Sequence, residues 1–293
     1  MEGGAIKGSG GCYRIIRVNG SKIDFYTYDS DGNGVRDDTK CTPTEQLKLS
    51  YTPANNGTAS SVTATITNNL REDFENAFVE FKVALPEAEY EYIVENGTIE
   101  QKLELPTMHV YYVRTNILKL SVKNVTIKRA IKYYLTFSPG WNFITLPLNV
   151  SYKNASQLAD AIYACSYVGR WSTSANKFDL YEKGYPEKDF VLENGVGYFV
   201  MVTEPTTLLI IGERLQSLQI ALKPGWNSIG WFNSTSIDAK ELKITNCTAV
   251  AYWDSTEQRF VVHTRGTNIS NFYLERGYGY LVYVTKESTW IND

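Results

Sequence analysis

The sequence is short of almost every residue that names a reaction. It holds two histidines, His109 and His263, and four cysteines in 293 residues. No Cys-x-x-Cys, His-Glu-x-x-His, Walker loop or Gly-x-Ser-x-Gly occurs. Those absences remove the usual signatures of zinc ribbons, haem attachment, metalloproteases, phosphate loops and nucleophile elbows. Charge of one sign is also missing. Lys and Arg number 29 against 32 Asp and Glu, a net charge of −3. Phosphate binding needs a basic face, so nucleic acid is not an expected partner. No apolar run reaches the roughly 18 residues that a membrane span needs. The start, Met1-Glu-Gly-Gly, is not a charged segment leading into an apolar one, so no signal peptide is expected here. That leaves a cytosolic protein or the mature part of a longer precursor.

What is present suits a packed, exported protein. Hydrophobic residues make up 43% and charged residues 21%, enough for two or three domains with real cores. Asn-x-Ser/Thr occurs at Asn56, Asn96, Asn124, Asn149, Asn154, Asn233, Asn246 and Asn268. Chance among 21 Asn gives about three or four, so the excess points to glycosylated surface loops. The competing account is a Thr-rich β protein that makes such triplets by accident. Four cysteines allow three pairings. Cys12 and Cys41 flank one local segment, and Cys165 and Cys247 sit at matching places of a repeat. The expected bridges are Cys12–Cys41 and Cys165–Cys247. The alternative for the second pair is two buried thiols.

Along the chain, residues 1–11 are Gly-rich and expected to be flexible. Tyr13–Val18 and Ile23–Tyr28, joined by Asn19-Gly20, predict a β-hairpin. Next, Asp29, Asp31, Asn33, Val35 and Asp37 fall in a loop with Gly34 at its sixth position. That spacing offers the oxygens and the tight turn that calcium wants. The loop resembles those of thrombospondin type 3 and dockerin-like extracellular modules, which implies a structural calcium ion. It departs from them at the twelfth position, where Lys40 stands. A polar Gly/Asp turn without an ion is the plainer account.

From Leu47 to about Arg129 the pattern has period two. Val62, Ala64 and Ile66 alternate with threonines; Val79, Phe81 and Val83 with Glu80 and Lys82; Leu118, Leu120 and Val122 with polar residues. Short half-buried strands with turn signals between them predict a β-sandwich over residues 47–130. The segment VTATITNNLREDFENAFVEFKV resembles Ig-like modules of the CARDB type, common in archaeal and bacterial surface proteins. Residues 130–135 are expected to be a linker.

The rest is one unit written twice. Pro139-Gly-Trp-Asn142 returns as Pro224-Gly-Trp-Asn227, and the same landmarks follow each. An offset of 82 takes Cys165 to Cys247, Trp171 to Trp253, Phe190 to Phe272, Gly197 to Gly279 and Tyr198 to Tyr280. Between the Trp-Asn pairs the offset is 85, so copy two has lost three residues before or in its helix. Helices are expected in NASQLADAI, capped by Asn154 or Ser156, and in SIDAKELK, capped by Ser236. The Gly-x-Gly-Tyr elements predict turns feeding strands. The pattern PGWNFITLPLNV…VGRW…LENGVGYFVMV resembles the Gly-Trp-Asn repeats of archaeal and some bacterial secreted proteins. The resemblance implies module type and location, not a catalytic activity.

Recurring tryptophans are expected in the core of each module. Trp231 and Trp290, which have no matching Trp in copy one, are the candidates for exposed binding or subunit contacts. Paired carboxylates such as Asp37-Asp38 and Glu87/Glu89 would serve glycosidase chemistry only if the fold brought them together. The expected architecture is mainly β: tail, hairpin and calcium-type loop (1–46), an Ig-like β-sandwich (47–130), and two homologous small α+β repeat modules (131–214 and 215–293). The expected function is a non-catalytic extracellular structural glycoprotein, a subunit or module of an archaeal surface layer, filament or adhesin. It would associate with itself or other surface proteins. The alternative is a carbohydrate- or ligand-binding module of a secreted protein, with glycans as partners and exposed aromatics in a groove.

Overall fold

A computed structural model describes residues 6–7, 12–19, 22–29, 47–71 and 73–292, the first three segments as backbone alone. The chain is mainly β and divides into two compact units, Met1–Arg129 and Ala130–Asp293. No helix among the described residues is long and apolar enough to cross a membrane.

In the first unit, β1 (Ile6–Lys7), β2 (Cys12–Asn19) and β3 (Lys22–Asp29) form a three-stranded sheet. The hairpin is as expected, with its ladder running from Cys12↔Asp29 to Asn19↔Lys22. Ile6–Lys7, inside the stretch expected to be flexible, pairs with β2. The calcium-type positions Asp31, Asn33, Val35 and Asp37 lie outside the described residues, as do Cys41 and the side chains of Asp29 and Cys12.

Two further sheets enclose one apolar core. In one, β4 (Leu47–Thr52) pairs with β5 (Ser61–Asn68), and β5 with residues 121–128 of β10 (Ser121–Phe137). β7 (Tyr90–Glu95) also pairs with β10. In the other, β9 (Met108–Ile117) lies between β6 (Phe74–Ala84) and β8 (Thr98–Glu104). Val62, Ala64 and Ile66 meet Val79, Phe81 and Val83, as their alternation predicts, together with Tyr111, Val113, Val125 and Ile127. The third alternating set departs from expectation. Leu118, Leu120 and Val122 are exposed, and Leu120 turns at φ +50°. They belong to the β9–β10 turn and the strand start, which the buried Asn68 secures by donating to the Leu118 carbonyl at 3.0 Å and accepting from the Leu70 amide at 2.9 Å. The inward residues of β10 are Val125 and Ile127.

The expected linker is no linker. Residues 131–137 of β10 pair with β16 (Thr206–Arg214), with Leu135 opposite Leu208, and Ala130, Leu135 and Phe137 are buried. Apolar residues at this spacing continue a strand; the polar neighbours Lys132, Tyr134 and Thr136 only mark its outer face.

Within the second unit, copy one builds the sheet order β11–β15–β13–β14 from β11 (Gly140–Ile144), β13 (Cys165–Ser172), β14 (Lys177–Glu182) and β15 (Tyr198–Val202). β12 (Leu148–Asn149) pairs with β16. Copy two begins with β17 (Leu218–Leu222) and β18 (Gly225–Gly230), followed by β19 (Ile237–Asp238). β20 (Cys247–Asp254), β21 (Arg259–Thr264), β22 (Tyr273–Leu274), β23 (Gly279–Val284) and β24 (Ser288–Asn292) complete it. Its main sheet has the matching order β18–β23–β20–β21.

The helices differ. Copy one has α1 (Ala155–Ala161), while copy two keeps a single 3-10 turn, Ala239–Glu241. Ile162 N–H bonds back to Leu158, whereas Ile244 N–H bonds to Leu242, so the two residues between these anchors are missing in copy two. Neither Ser156 nor Ser236 is the cap. The cap positions are Asn154 and Asp238, and neither side chain bonds its own helix start. A residue across the module does so instead. Asp189 accepts from the Ser156 amide at 3.0 Å, and Asn271 accepts from the Lys240 amide at 3.1 Å. Asn154 donates to Asp189 in copy one, and Asn271 donates to Asp238 in copy two. The acid and the amide have exchanged places between copies, and the contact survives.

Candidate functional site

Pro-Gly-Trp-Asn is a turn that locks itself. Gly140 and Gly225 adopt φ of +99° and +108°, which favour glycine over any residue with a Cβ. The Asn side chain then holds the turn from inside. Asn142 accepts from the Ser138 amide at 3.0 Å and donates to the Ser138 and Gly140 carbonyls at 2.8 and 3.1 Å. Asn227 makes the same three bonds with Lys223 and Gly225, at 2.9, 2.7 and 2.9 Å. Both Asn are 5% exposed, so the amide bonds satisfy backbone groups that water reaches poorly.

The tryptophans do not line the core of their own module. They lie half-buried in a seam between the copies, around Phe143, Phe199, Ala251 and Leu281. Trp171 Nε1 donates to the Trp226 carbonyl at 2.7 Å, and Trp253 Nε1 donates to the Trp141 carbonyl at 2.8 Å. The backbones repeat this reciprocity. The Thr145 amide donates to the Gly277 carbonyl at 2.9 Å, and the Gly230 amide to the Gly195 carbonyl at 2.7 Å. At the centre, a Cβ on Gly197 would come within 2.9 Å of the Gly279 Cα. No side chain fits there, which explains the second glycine of each Gly-x-Gly-Tyr element. The following tyrosines cap the preceding turns. The Glu193 amide donates to the Tyr198 hydroxyl at 2.6 Å, and the Glu275 amide to the Tyr280 hydroxyl at 2.7 Å. Burial pushes the Tyr198 phenol up to about 12.

Trp231 and Trp290 are corrected from exposed candidates to core. They are 4% and 2% exposed, and their rings stack at 6.4 Å. Their register partners explain this. Trp290 pairs with Ile220 as Leu208 pairs with Leu135, so Trp290 stands where copy one has Leu208. Trp231, at the offset of 85, stands where copy one has Leu146. Two leucines of copy one are matched by two indoles in copy two, and these share a core with Ala239 and Leu242 of the 3-10 turn region.

Cys165 and Cys247 are corrected from a bridge to two free, buried thiols. Each belongs to its own module's core. Each donates weakly to the carbonyl two residues on, Tyr167 at 3.6 Å and Ala249 at 3.4 Å. Burial pushes the Cys165 thiol up to about 11 and raises Cys247 as well.

No family model, no curated protein and no solved structure matches this chain. What it does has to be read from its own residues.

The titratable groups form structural contacts. His263 is fully buried, and its Nδ1 donates to the Ile269 carbonyl at 3.0 Å. His109 is 8% exposed and lies edge-on to Tyr111, and burial lowers its pKa. Neither ring is bonded to a serine, cysteine or carboxylate among the described residues. In the first unit, Lys102 bridges Glu91 and Glu104 at 3.4 and 2.8 Å, and the Tyr111 hydroxyl donates to Glu91 at 2.9 Å. Burial alone would raise the Glu91 carboxyl; the Tyr92 amide, the Tyr111 hydroxyl and Lys102 outweigh it and hold the pKa down. Such a network stiffens a sheet face. No group of three His, Cys, Asp or Glu arranged for a metal occurs among the described residues.

Eight of the nine Asn-x-Ser/Thr triplets lie at the surface; the ninth, Asn19-Gly20-Ser21, has no described side chains. Asn56, Asn96, Asn124, Asn149, Asn246 and Asn268 are exposed, and Asn154 and Asn233 are half-buried. The four buried asparagines, Asn68, Asn142, Asn227 and Asn292, all fall outside such triplets. Asn56 accepts from both the amide and the hydroxyl of Thr58, at 3.1 and 2.7 Å, within its own triplet.

Proposed function

We propose that this chain is a non-catalytic structural glycoprotein of the cell surface, a building block of a surface layer, filament or adhesin. Residues 47–130 form its Ig-like β-sandwich, and the rest of the chain beyond them is a pair of homologous α+β modules of the Gly-Trp-Asn kind. The observation that carries this reading is the seam. The recurring Trp and the second Gly hold the two copies to each other, and the Asn fixes the Pro-Gly turn from which each Trp leaves. A repeated motif used for turn locking and internal attachment suits a part that transmits load rather than one that turns over substrate. Surface placement of the eight Asn-x-Ser/Thr sites whose side chains are described supports an exported, glycan-bearing protein. In this reading Asp29, Asp31, Asn33, Val35 and Asp37 hold a calcium ion, and Cys12–Cys41 bridges the segment around it. Self-association is the expected partner chemistry. Electron microscopy of the purified full chain, with calcium and after chelation, tests it. Ordered assemblies that loosen on chelation are expected. A monodisperse monomer under both conditions would overturn the assembly role.

A further inference from the structure

Copy two carries an open cleft of about 400 Å³, lined chiefly by Tyr252, Asp254, Phe272, Tyr273, Glu275 and Tyr278. The offset of 82 puts Arg170, Val191 and Val196 where copy two has Tyr252, Tyr273 and Tyr278. Copy one therefore builds the same sheet order without rings at these three places. Its Arg170 lies over the Phe190 ring and pairs with Asp179, closing that face with its own side chain. Tyr252 packs against the core of copy two, whereas the rings of Tyr273 and Tyr278 are exposed.

The backbone of both exposed tyrosines is held. Tyr273 sits in the β19–β22 ladder opposite Asp238. The Tyr278 carbonyl accepts from the Trp231 amide at 3.0 Å, its own amide donates to the Glu275 carbonyl at 3.2 Å, and it bridges Ile144 of copy one. Yet Tyr273 and Tyr278 are 63% and 50% exposed. Tyr252 packs edge-on against Phe272 at 4.6 Å and forms the floor. Exposed aromatic faces on a fixed backbone, beside a few polar groups, make a preorganised recognition surface. The Asp254 carboxylate is oriented by the Thr256 and Glu257 amides, at 2.9 and 3.0 Å. No cation among the described residues lines the cleft; Arg259 stands opposite Asp254 in the β20–β21 ladder, but its guanidinium pairs with Glu257. Carboxylate oxygens beside exposed aromatic faces can accept from the hydroxyls of a sugar stacked on the rings.

We propose that this cleft binds a neutral oligosaccharide. Pyranose C–H faces stack on Tyr273 and Tyr278, and sugar hydroxyls donate to Asp254 and Glu275. The site is independent of the assembly role, because binding is read on dispersed protein. The test is calorimetric titration of aglycosylated full chain with cellohexaose, chitohexaose and mannohexaose. At least one should bind with millimolar affinity or tighter. The double variant Tyr273→Val/Tyr278→Val installs side chains of the kind copy one carries there, so it should keep the melting temperature. It should weaken binding at least about tenfold. Tyr163→Ala, a 70%-exposed tyrosine outside the cleft, should change nothing. Failure of all three sugars to bind would overturn the proposal, as would binding that survives the double variant. A tri-arginine peptide, run as a cationic probe, should give no heat; binding that the double variant abolishes would reassign the cleft to a cation.

Discussion

Copy one and copy two share backbone contacts and trade side-chain volume. The seam is symmetric where main chain meets main chain, as in Thr145 to Gly277 and Gly230 to Gly195. It is asymmetric where side chains fill it. Phe143 of copy one stacks on Phe199 at 4.2 Å and lies over Gly279. Its counterpart in copy two is Ser228, whose hydroxyl accepts from the Gly197 amide at 3.1 Å and donates to the Gly197 carbonyl at 2.8 Å. One side is packed by dispersion and the other by hydrogen bonds. Backbone contacts admit few substitutes, whereas volume can be redistributed, so the two copies diverged in the second and kept the first.

The largest expected effect probes that asymmetry. Phe143→Ala should destabilise the second unit by about 3–5 kcal/mol, because the ring is buried and leaves a cavity. Ser228→Ala removes a hydroxyl that serves two backbone groups and should cost about 1–2 kcal/mol. Thermal unfolding reads both, at about 2–4 °C per kcal/mol for a unit of this size. Equal losses would break the comparison.

The next pair probes the symmetric part. Asn142→Ala and Asn227→Ala each delete the same three bonds to a Pro-Gly turn. Each should cost about 1–3 kcal/mol, and the two costs should agree. A clear difference between them in urea unfolding would mean that the two turns are not equivalent.

Much of this was legible in the residues. Period two predicted the inward faces of β5 and β6, and the constant offset of 82 predicted matching strands and glycines. The volume trade was not legible. Trp231 and Trp290 lack a matching Trp, and a missing match suggested exposure. Only the β17–β24 register shows that they replace leucines beside a shortened helix. Leu118 and Leu120 alternate like strand residues, yet they form a turn, because alternation does not distinguish a strand from the end of one. The cleft did leave a signal: Arg170, Val191 and Val196 change to three tyrosines at constant offset. Divergence between copies, compared for every residue type rather than for tryptophan alone, would have found it.

A smaller effect tests the exchanged acid. Burial alone would raise the Asp189 carboxyl, but bonds from the Ser156 hydroxyl and amide, the Phe190 amide and Asn154 hold it below its ordinary 3.8. A lowered carboxylate contributes stability that is present above its unfolded value and lost as pH falls through its folded one. Wild-type stability should therefore decline as pH drops below 3.8, in part through this group. Asp189→Asn, which gives copy one the residue that copy two has in Asn271, should flatten that decline. Urea unfolding across the acid range measures it. An unchanged slope would show that the Asp189 contact contributes nothing linked to protons.

The smallest expected effect is none, and it tests the seam's geometry. Equivalent residues of two reciprocally packed copies meet only at the centre of the seam, and Gly197 and Gly279 occupy it. Cys165 and Cys247 are equivalent too, but each starts a strand and points into its own core. They cannot bridge while the reciprocal bonds stand. Iodoacetamide near pH 8 should label neither in the folded protein, since burial raises both thiols and the thiolate is the reactive form. Unfolding without reductant should expose both to labelling. Recovery of a Cys165–Cys247 linked peptide instead would break the equivalence of the two copies at its root.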